Sequence, residues 1–251
     1  MTLDGDPFSF QDQVVIITGS SSGIGEACAR RLAERGARVV VNSRSSVEAG
    51  EALASDIGEA AIYVQADVAK ESECKKLIDA TVAEFGRLDH VINNAGTTSV
   101  IPHNDFDALT DEVWRSILDT NLMGTFYMSR AALPHLKEAK GSIVNVTSIA
   151  GLRQVGSSIP YSVSKTAINQ LTRLMANQVG PEVRVNAVAP GLIATPWTAE
   201  WDAQHAHIAK TAPLRRSGTP DDIATACIAI MASPYTTGEV ISADGGVILR
   251  A

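Results

Sequence analysis

The feature that most constrains the fold is an alternation of short apolar runs with longer amphipathic segments. Seven runs are rich in β-branched residues and continuously apolar: QVVIIT, ARVVVN, AAIYVQAD, LDHVIN, GSIVNVT, EVRVNAV and GEVISAD. Continuous hydrophobicity is typical of parallel strands that helices cover on both faces. Helical patterns lie between them at about 24–35, 46–57, 70–85, 110–137 and 160–179. The alternation predicts an α/β fold with a doubly wound parallel sheet of about seven strands.

The chain shows no sign of division into several domains. Its 251 residues, 45% of them apolar and 20% charged, suit one globular unit with a sizeable core. No internal repeat or long linker interrupts it, so we expect a single domain over 1–251. Only the segment at about 195–220, with two tryptophans, two histidines and no clear strand, breaks the alternation. We expect this segment to be a lid or a surface insertion.

Charge and cysteine usage exclude several classes of partner. The net charge of −7 argues against nucleic acid or an anionic membrane as the main partner. Cys28, Cys74 and Cys227 lie far apart and form no CxxC motif, so we interpret them as core thiols of a protein in a reducing compartment. No run approaches the ~20 apolar residues of a membrane span. We therefore expect a soluble, cytoplasmic protein. We expect no metal site, since His205 and His207 would not share a helix face.

A glycine-rich turn, TGSSSGIG, follows the first predicted strand and leads directly into a helix. Its glycines permit a tight turn and close backbone approach, and the helix N-terminus offers free N–H groups to a pyrophosphate. This placement favours a Rossmann-type dinucleotide site over a βα turn that merely needs positive φ. The candidate cofactor contacts in the turn are Gly19, Ser21, Ser22, Gly23, Ile24 and Gly25.

Two further strand ends carry cofactor signals. Asn94, Ala95 and Gly96, in INNAG, end the fourth strand beside the expected reversal of strand order, where ligands bind on open α/β sheets. An Asn-Gly-type turn would give the same letters. Asp67, followed by Val68, ends the third strand, where its carboxylate can accept a hydrogen bond from an adenine amine or cap the next helix.

Four polar residues form the candidate reaction centre. Tyr161 and Lys165 share a helix face because they are four residues apart, Ser148 ends the fifth strand, and Asn121 lies in the preceding long helix. A phenol of pKa ~10 needs roughly 4 kcal/mol of stabilisation of its anion to ionise near pH 7. One positive charge at ~4 Å supplies about that much at an effective dielectric of ~20. We therefore expect Lys165 to lower the pKa of Tyr161, assisted by an oxidised nicotinamide.

Taken in order, TGSSSGIG, NNAG, the Asn of TNLMGTF, the Ser thirteen residues before YSVSK, and NAVAPGLIATP resemble the short-chain dehydrogenase/reductase family. The resemblance runs from about Gln13 to Gly246 and is closest to 3-oxoacyl reductases. It implies that Tyr161 exchanges a proton with the carbonyl oxygen, Ser148 holds that oxygen, and Lys165 also binds the nicotinamide ribose. Asn121 would fix a water that links Lys165 to solvent. The resemblance also implies nicotinamide contacts from a segment that comprises Pro190, Gly191, Ile193 and Thr195.

The end of the second strand decides which dinucleotide we expect. An Asp or Glu there binds the ribose 2′-hydroxyl of NAD, but this chain has Ser43 followed by Arg44. The guanidinium can bind a 2′-phosphate, with Asn42 and Ser45 as neutral donors, so we predict NADP(H) with NAD(H) possible. The alternative is that Arg44 is a solvated turn residue.

The predicted activity is hydride transfer between NADP(H) and a carbonyl compound or secondary alcohol. The pocket candidates, 97–102, 149–159 and the lid segment, are mostly apolar, which favours a neutral or hydrophobic ketone. Trp197 and Trp201 could form a wall over the substrate or pack in the core. A 3-oxoacyl-[acyl-carrier-protein] reductase is the second interpretation, and a non-catalytic NADP-binding sensor is the third. The resemblance also implies a homotetramer, or else a dimer, formed through the 110–137 helix and the helix that carries Tyr161.

Overall fold

The computed structural model describes residues 6 and 8–250, and its centre is a parallel sheet of seven strands. The strand order is β3-β2-β1-β4-β5-β6-β7, and every neighbouring pair is parallel. The strands are β1 (Val14–Ile17), β2 (Arg38–Ser43), β3 (Ala61–Gln65), β4 (His90–Asn93), β5 (Ser142–Val146), β6 (Arg184–Pro190) and β7 (Val240–Ala243). The predicted doubly wound sheet is confirmed.

Helices cover both faces of the sheet. They are α1 (Gly23–Ala33), α2 (Val47–Ile57), α3 (Glu71–Phe85), α4 (Asp111–Leu118), α5 (Gly124–Ala139), α6 (Ile159–Val179), α7 (Asp202–Thr211) and α8 (Pro220–Ala232). Val15 and Ile17 of β1 pack in a core with α1, α2 and α8, whereas Val14 and Ile16 pack in a second core with α3, α5 and α6. Successive side chains of a strand point to opposite faces, so burial on both sides explains the continuously apolar runs.

The predicted helix over 110–137 is not regular. A π-helical turn, Asp119–Met123, separates α4 from α5 and contains Asn121. A π-bulge adds a residue to a helical turn, often at a functional site, and leaves no periodicity signal that a sequence pattern would reveal.

Two helices were not predicted. Within the 195–220 segment, a short 3₁₀ turn, Pro196–Thr198, is followed by α7. No residue of α7 is buried, and its sequence DAQHAHIAKT therefore needs no apolar stripe that would predict a helix. The start of α8 does carry a signal, because Thr219 and Asp222 form a capping box and Pro220 occupies the first turn. The three cysteines are free and buried, as predicted.

The topology creates one crevice at the carboxyl ends of the strands. The chain proceeds outward from β1 through β2 to β3 and then returns to β4 on the other side of β1. The loops after β1 and β4 therefore diverge, which leaves room for a ligand between them. Over the described range 8–250, the helices are too short or too polar to cross a membrane.

Candidate active site

A cavity of about 1130 Å³ lies in this crevice and reaches from the end of β2 to α7. That volume exceeds the ~300–1,000 Å³ of a typical small-molecule site, so it can hold a dinucleotide and a second ligand together. Most of the predicted site residues line it: Gly19, Ser22, Gly23, Ile24, Ser43, Arg44, Asp67, Val68, Asn94, Ala95, Gly96, Ser148, Tyr161, Lys165, Pro190, Gly191, Ile193 and Thr195. Ser21, Gly25 and Asn121 do not.

The glycine turn has the geometry that a pyrophosphate needs. Gly19 and Gly23 have φ of +61° and +59°, and a Cβ on Gly19 would lie 2.8 Å from the Cα of Ala95. Gly25 lies behind the turn, where a Cβ would be 2.6 Å from the oxygen of Gly19. Ser22, the N-cap residue of α1, makes no side-chain capping bond. The first N–H groups of α1 thus remain available at the cavity, and these residues fit a dinucleotide phosphate.

The NNAG turn is bound directly to the glycine turn. Asn94 Nδ2 donates to the carbonyl oxygens of Thr18 (3.0 Å) and Gly19 (2.9 Å), and the hydroxyl of Thr18 accepts from the N–H groups of Asn94 and Ala95, at 3.0 Å each. The amide of Asn94 is therefore occupied by the protein itself. Thr18 was not among the predicted residues because its position at the strand end gives no signal that distinguishes it from a core residue.

At the end of β2 one predicted donor is wrong. Asn42 Oδ1 accepts from the N–H of Gly19, and its Nδ2 donates to the carbonyls of Val64 and Ala66. Because its amide joins the first three strand ends, it is not free to bind a phosphate. Ser43 is likewise hydrogen-bonded, at 2.9 Å to the hydroxyl of Tyr63.

Arg44 and Ser45, in contrast, are exposed and line the cavity. Asp67 also lines it, while its Oδ1 accepts from the N–H of Ala69 at 3.1 Å. This bond closes a local turn before α3, whose N-cap residue is Lys70, so Asp67 does not cap that helix.

Tyr161, Ser148 and Lys165 meet at one wall of the cavity. Pro160 lies in the first turn of α6, and the Ser158 hydroxyl, at the N-cap, accepts from the N–H of Tyr161. The Ser148 hydroxyl is close enough to the Tyr161 phenol to lower its pKa. Lys165 Nζ lies 5.7 Å from the centroid of the Tyr161 ring and donates to the carbonyl of Val146 at 3.0 Å.

The pKa of Tyr161 shifts opposite to our expectation. Burial raises it, and the interaction with Ser148 only partly offsets that effect. Lys165 Nζ lies over the Tyr161 ring and donates to the carbonyl of Val146, and burial lowers its own pKa to about 8. Desolvation of the phenolate is the largest cause of the rise, and Lys165 is not among its causes. The lowering of the Tyr161 pKa by Lys165 together with an oxidised nicotinamide stays a prediction for the cofactor-bound protein.

Asn121 lies behind the wall rather than on it. It is fully buried in the π-helical turn, its Oδ1 accepts from the N–H of Thr97 at 2.8 Å, and its Nδ2 donates to the carbonyl of Thr97 and to the hydroxyl of Ser164, both at 3.0 Å. Its own carbonyl accepts from Thr125 Oγ1 at 2.7 Å. The side chain of Asn121 thus holds the strand-end loop after Gly96 against α6.

The far half of the cavity is formed by the predicted loops, which include Val100, Ile101, Gln154 and Val155, together with Trp197, Trp201 and Ile208 from the 195–220 segment. The charged lining residues are Arg44, Asp67 and Lys165, all among the predicted cofactor contacts. His103 and His207 also line the cavity but were not predicted, because isolated histidines in polar segments carry no distinguishing pattern. No group of three potential metal ligands is found within residues 8–250.

Comparisons with known proteins agree with this geometry. A family model described as "Enoyl-(Acyl carrier protein) reductase" matches residues 19–248. The chain is 54% identical over 240 residues to the "Granaticin polyketide synthase putative ketoacyl reductase 2" of Streptomyces violaceoruber, covering 94% of this chain and 96% of that protein. It is 37% identical over 245 residues to a 3-oxoacyl-[acyl-carrier-protein] reductase of Synechocystis sp., covering 94% and 97%. A solved short-chain dehydrogenase/reductase from Brucella melitensis, titled glucose/ribitol dehydrogenase, has a TM-score of 0.90 at 32% identity, covering 97% of this chain and 99% of that one.

Proposed function

Because the chain belongs to the short-chain dehydrogenase/reductase family and resembles its 3-oxoacyl reductases, it is an oxidoreductase that uses a nicotinamide cofactor. We propose that it transfers hydride between NADP(H) and a neutral or hydrophobic ketone or the corresponding secondary alcohol. The observation that carries this proposal is that Tyr161, Ser148 and Lys165 line the same cavity as the glycine turn. When bound, the cofactor supplies or accepts the hydride.

In this proposal the side chains manage the proton and the developing charge. Tyr161 donates its proton to the carbonyl oxygen in reduction, and Ser148 donates a hydrogen bond to the same oxygen. The raised pKa of Tyr161 keeps the phenol protonated at neutral pH, which suits the reductive direction. Lys165, with a pKa of about 8, carries a positive charge at pH 7 that stabilises the phenolate as it forms.

The proposal is tested by Tyr161→Phe, which removes the proton donor and keeps the ring. We expect kcat/KM for ketone reduction to fall by about 10²- to 10⁴-fold, the usual contribution of a general acid. The dissociation constant for NADPH should change little. Tyr235→Phe is the matched control, because it removes the same hydroxyl group from a tyrosine that is fully exposed at 101%. Equal activity of the two variants would refute the assignment of Tyr161.

We propose NADP(H) as the preferred cofactor on the basis of Arg44. Among the described residues no carboxylate pairs with this exposed guanidinium, and its position at the cavity suits a 2′-phosphate. One charge-assisted contact of ~1.5 to 3 kcal/mol gives a preference for NADPH over NADH of roughly 10- to 150-fold in kcat/KM. Arg44→Ala should abolish most of it and leave NADH turnover nearly unchanged. Arg115→Ala, on an exposed side chain of α4, is the control, and equal use of both cofactors by the wild type would contradict the proposal.

A second candidate is reduction of a 3-oxoacyl thioester on a carrier protein. Two of its relatives, named as a ketoacyl reductase and a 3-oxoacyl-[acyl-carrier-protein] reductase, favour it. Turnover of one 3-oxoacyl chain presented on a carrier protein and on a short thioester distinguishes the candidates. A kcat/KM more than tenfold higher with the carrier supports the second one. Absence of turnover on every carbonyl compound would instead favour the non-catalytic sensor.

The remaining proposals concern the state of the protein. We propose that 1–251 forms a single catalytic domain, with the 195–220 segment as a lid over the substrate. The negative net charge and the three free, buried thiols support a cytoplasmic location. We also propose a homotetramer, or else a dimer, formed through the helices α4–α5 and α6.

A further inference from the structure

We infer that Trp197 makes the site selective for ketones that carry a flat aromatic ring close to the carbonyl group. The inference rests on the proposed function for its choice of a ketone. It concerns which ketones bind best and names a residue that distinguishes them.

Trp197 is placed beside the proposed proton donor. It lines the cavity, 47% of its surface is exposed, and its ring centroid lies 6.4 Å from that of Tyr161 at an interplanar angle of 77°. The indole edge-to-face contact with the phenol leaves much of the indole uncovered. A ketone whose oxygen is bound by Tyr161 has its carbon substituents within reach of this uncovered surface.

The position of Trp197 is set by the turn that carries it. Within the turn Pro196–Thr198, the buried hydroxyl of Thr198 donates to the carbonyl of Ile193 at 2.6 Å. His205 Nε2 lies 3.2 Å from the carbonyl oxygen of Thr198, and its Nδ1 lies 2.7 Å from the hydroxyl of Ser217. These bonds fix the turn to the end of β6 on one side and to α7 on the other. The backbone that carries the indole is therefore already in place before a ligand binds.

The surroundings favour an uncharged ring as the occupant. Val100 and Val155 line the same cavity from the two predicted loops and are 68% and 41% exposed, so this half of the cavity has apolar surface besides the indole. A saturated ring and an aromatic ring of equal carbon number would both bury apolar surface there. Only the aromatic ring also gains from the offset or edge-to-face arrangement of two π-systems, so the indole distinguishes flat rings from puckered ones.

The experiment compares phenylacetone with cyclohexylacetone. The two ketones share a carbon skeleton, and a methylene group separates ring and carbonyl in both, so their intrinsic reactivities are similar. We expect wild-type kcat/KM to favour phenylacetone by roughly 2- to 10-fold, the range that an aromatic pair provides. Trp197→Leu should bring the ratio close to one, whereas Trp197→Phe should retain most of it. Trp201→Leu, which changes another cavity tryptophan in the same way, should retain more than half of the preference.

Dissociation constants of both ketones for the NADP⁺-bound protein, measured by equilibrium dialysis, separate this inference from the proposed function. If neither ketone is reduced but the binding ratio depends on Trp197 as described, the proposed function fails and the inference holds. If both ketones are reduced and bound with ratios near one, or with ratios that Trp197→Leu leaves unchanged, the inference is overturned and the proposed function stands. An equal loss of preference in Trp201→Leu would also overturn it, because the selectivity would then not belong to Trp197.

Discussion

At the scale of single residues, Lys165 is placed at a cost to the stability of the fold. Lys165 is 4% exposed, and burial lowers its pKa from the ordinary 10.5 to about 8. No carboxylate is among the causes of the shift, so nothing offsets the effect of burial. This lowering corresponds to about 3 kcal/mol of destabilisation of the charged form. Such a cost is common where a residue is kept for activity rather than for folding.

The pH dependence of this cost has a defined sign. Between about pH 8 and pH 10.5 the unfolded chain holds the Lys165 proton while the folded protein has released it. Because the unfolded state binds more protons in this window, the contribution of Lys165 to the free energy of unfolding increases with pH. Below pH 8 both states are protonated and the full cost of burial applies.

We therefore predict that Lys165→Met stabilises the protein at pH 7 while abolishing most activity. The substitution removes the cost of burying the charge but also the hydrogen bond to Val146, worth about 1 to 3 kcal/mol. The free energy of unfolding at pH 7 should therefore increase by about 1 kcal/mol. The gain should disappear or reverse by pH 10.5. Urea unfolding at both pH values measures it, with Lys75→Met as the control because that side chain is 72% exposed. A stability difference that is the same at both pH values would contradict the argument.

Sequence reasoning identified residue types better than residue environments. The spacing of Tyr161 and Lys165 correctly placed both side chains at the cavity, since residues four apart on a helix share a face. It could not show that Lys165 Nζ would bond to the carbonyl of Val146, on a strand nineteen residues away in sequence. The direction of the Tyr161 shift and the internal use of Asn42 depend on such long-range contacts, which spacing does not contain.

At the scale of elements, strands were easier to predict than irregular segments. All seven strands were predicted because burial on both faces demands continuous apolar runs. The π-helical turn Asp119–Met123 and the helix α7 lacked a comparable signal, because neither presents an apolar face of regular period. These two elements place Asn121 and, from α7, the cavity-lining residue Ile208.

One side chain anchors the loop 149–158, which precedes α6. Arg153 Nη1 donates to the carbonyls of Val247 (3.2 Å) and Ile248 (3.3 Å) and also to that of Arg250, so it binds the C-terminal 3₁₀ turn Val247–Leu249. Asp244 holds the same turn by accepting from the N–H groups of Gly246 and Ile248. Gln154 and Val155, which follow Arg153, line the cavity.

We predict that Arg153→Ala loosens this loop and weakens substrate binding more than it slows chemistry. Charged hydrogen bonds contribute ~1.5 to 3 kcal/mol, and partial exposure reduces that, so KM for the ketone should rise about 3- to 10-fold. The kcat and the KM for NADPH should change less than twofold. Amide hydrogen exchange should quicken over 152–157 but not in α1, and Arg115→Ala is the control. A fall in kcat without a change in KM would show that Arg153 acts on the reaction step instead.

At the scale of the whole molecule, the site belongs to the topology rather than to any one element. The glycine turn follows β1, Arg44 follows β2, Ser148 follows β5 and the Trp197 turn follows β6. These segments meet because parallel strands bring all their carboxyl ends to one edge of the sheet. The fold class, predicted from apolar runs alone, therefore also predicted that residues distant in sequence would share a cavity.

The outer faces of α5 and α6 expose apolar side chains that contact with a second subunit would bury. On α6, Val163 and Leu174 are 44% and 56% exposed, although that helix also carries Tyr161 and Lys165 on its inner face. On α5, Arg130 lies over the rings of Phe126 and Tyr127 at 5.0 and 5.7 Å. If a two-fold axis passes beside α6, each exposed residue near the axis faces its own copy, so a change there acts twice.

We predict a homotetramer, or failing that a dimer, and Leu174→Glu should reduce the assembly. Glutamate would replace apolar contact by two like charges held close together, which destabilises a closed interface. Multi-angle light scattering at micromolar concentration should show a smaller mass for Leu174→Glu than for the wild type. Tyr235→Glu is the control, because Tyr235 is fully exposed and lies outside α5 and α6, and it should leave the mass unchanged. A wild-type protein that is monomeric at this concentration would overturn the prediction, and a tetramer insensitive to Leu174→Glu would show that assembly uses a different surface.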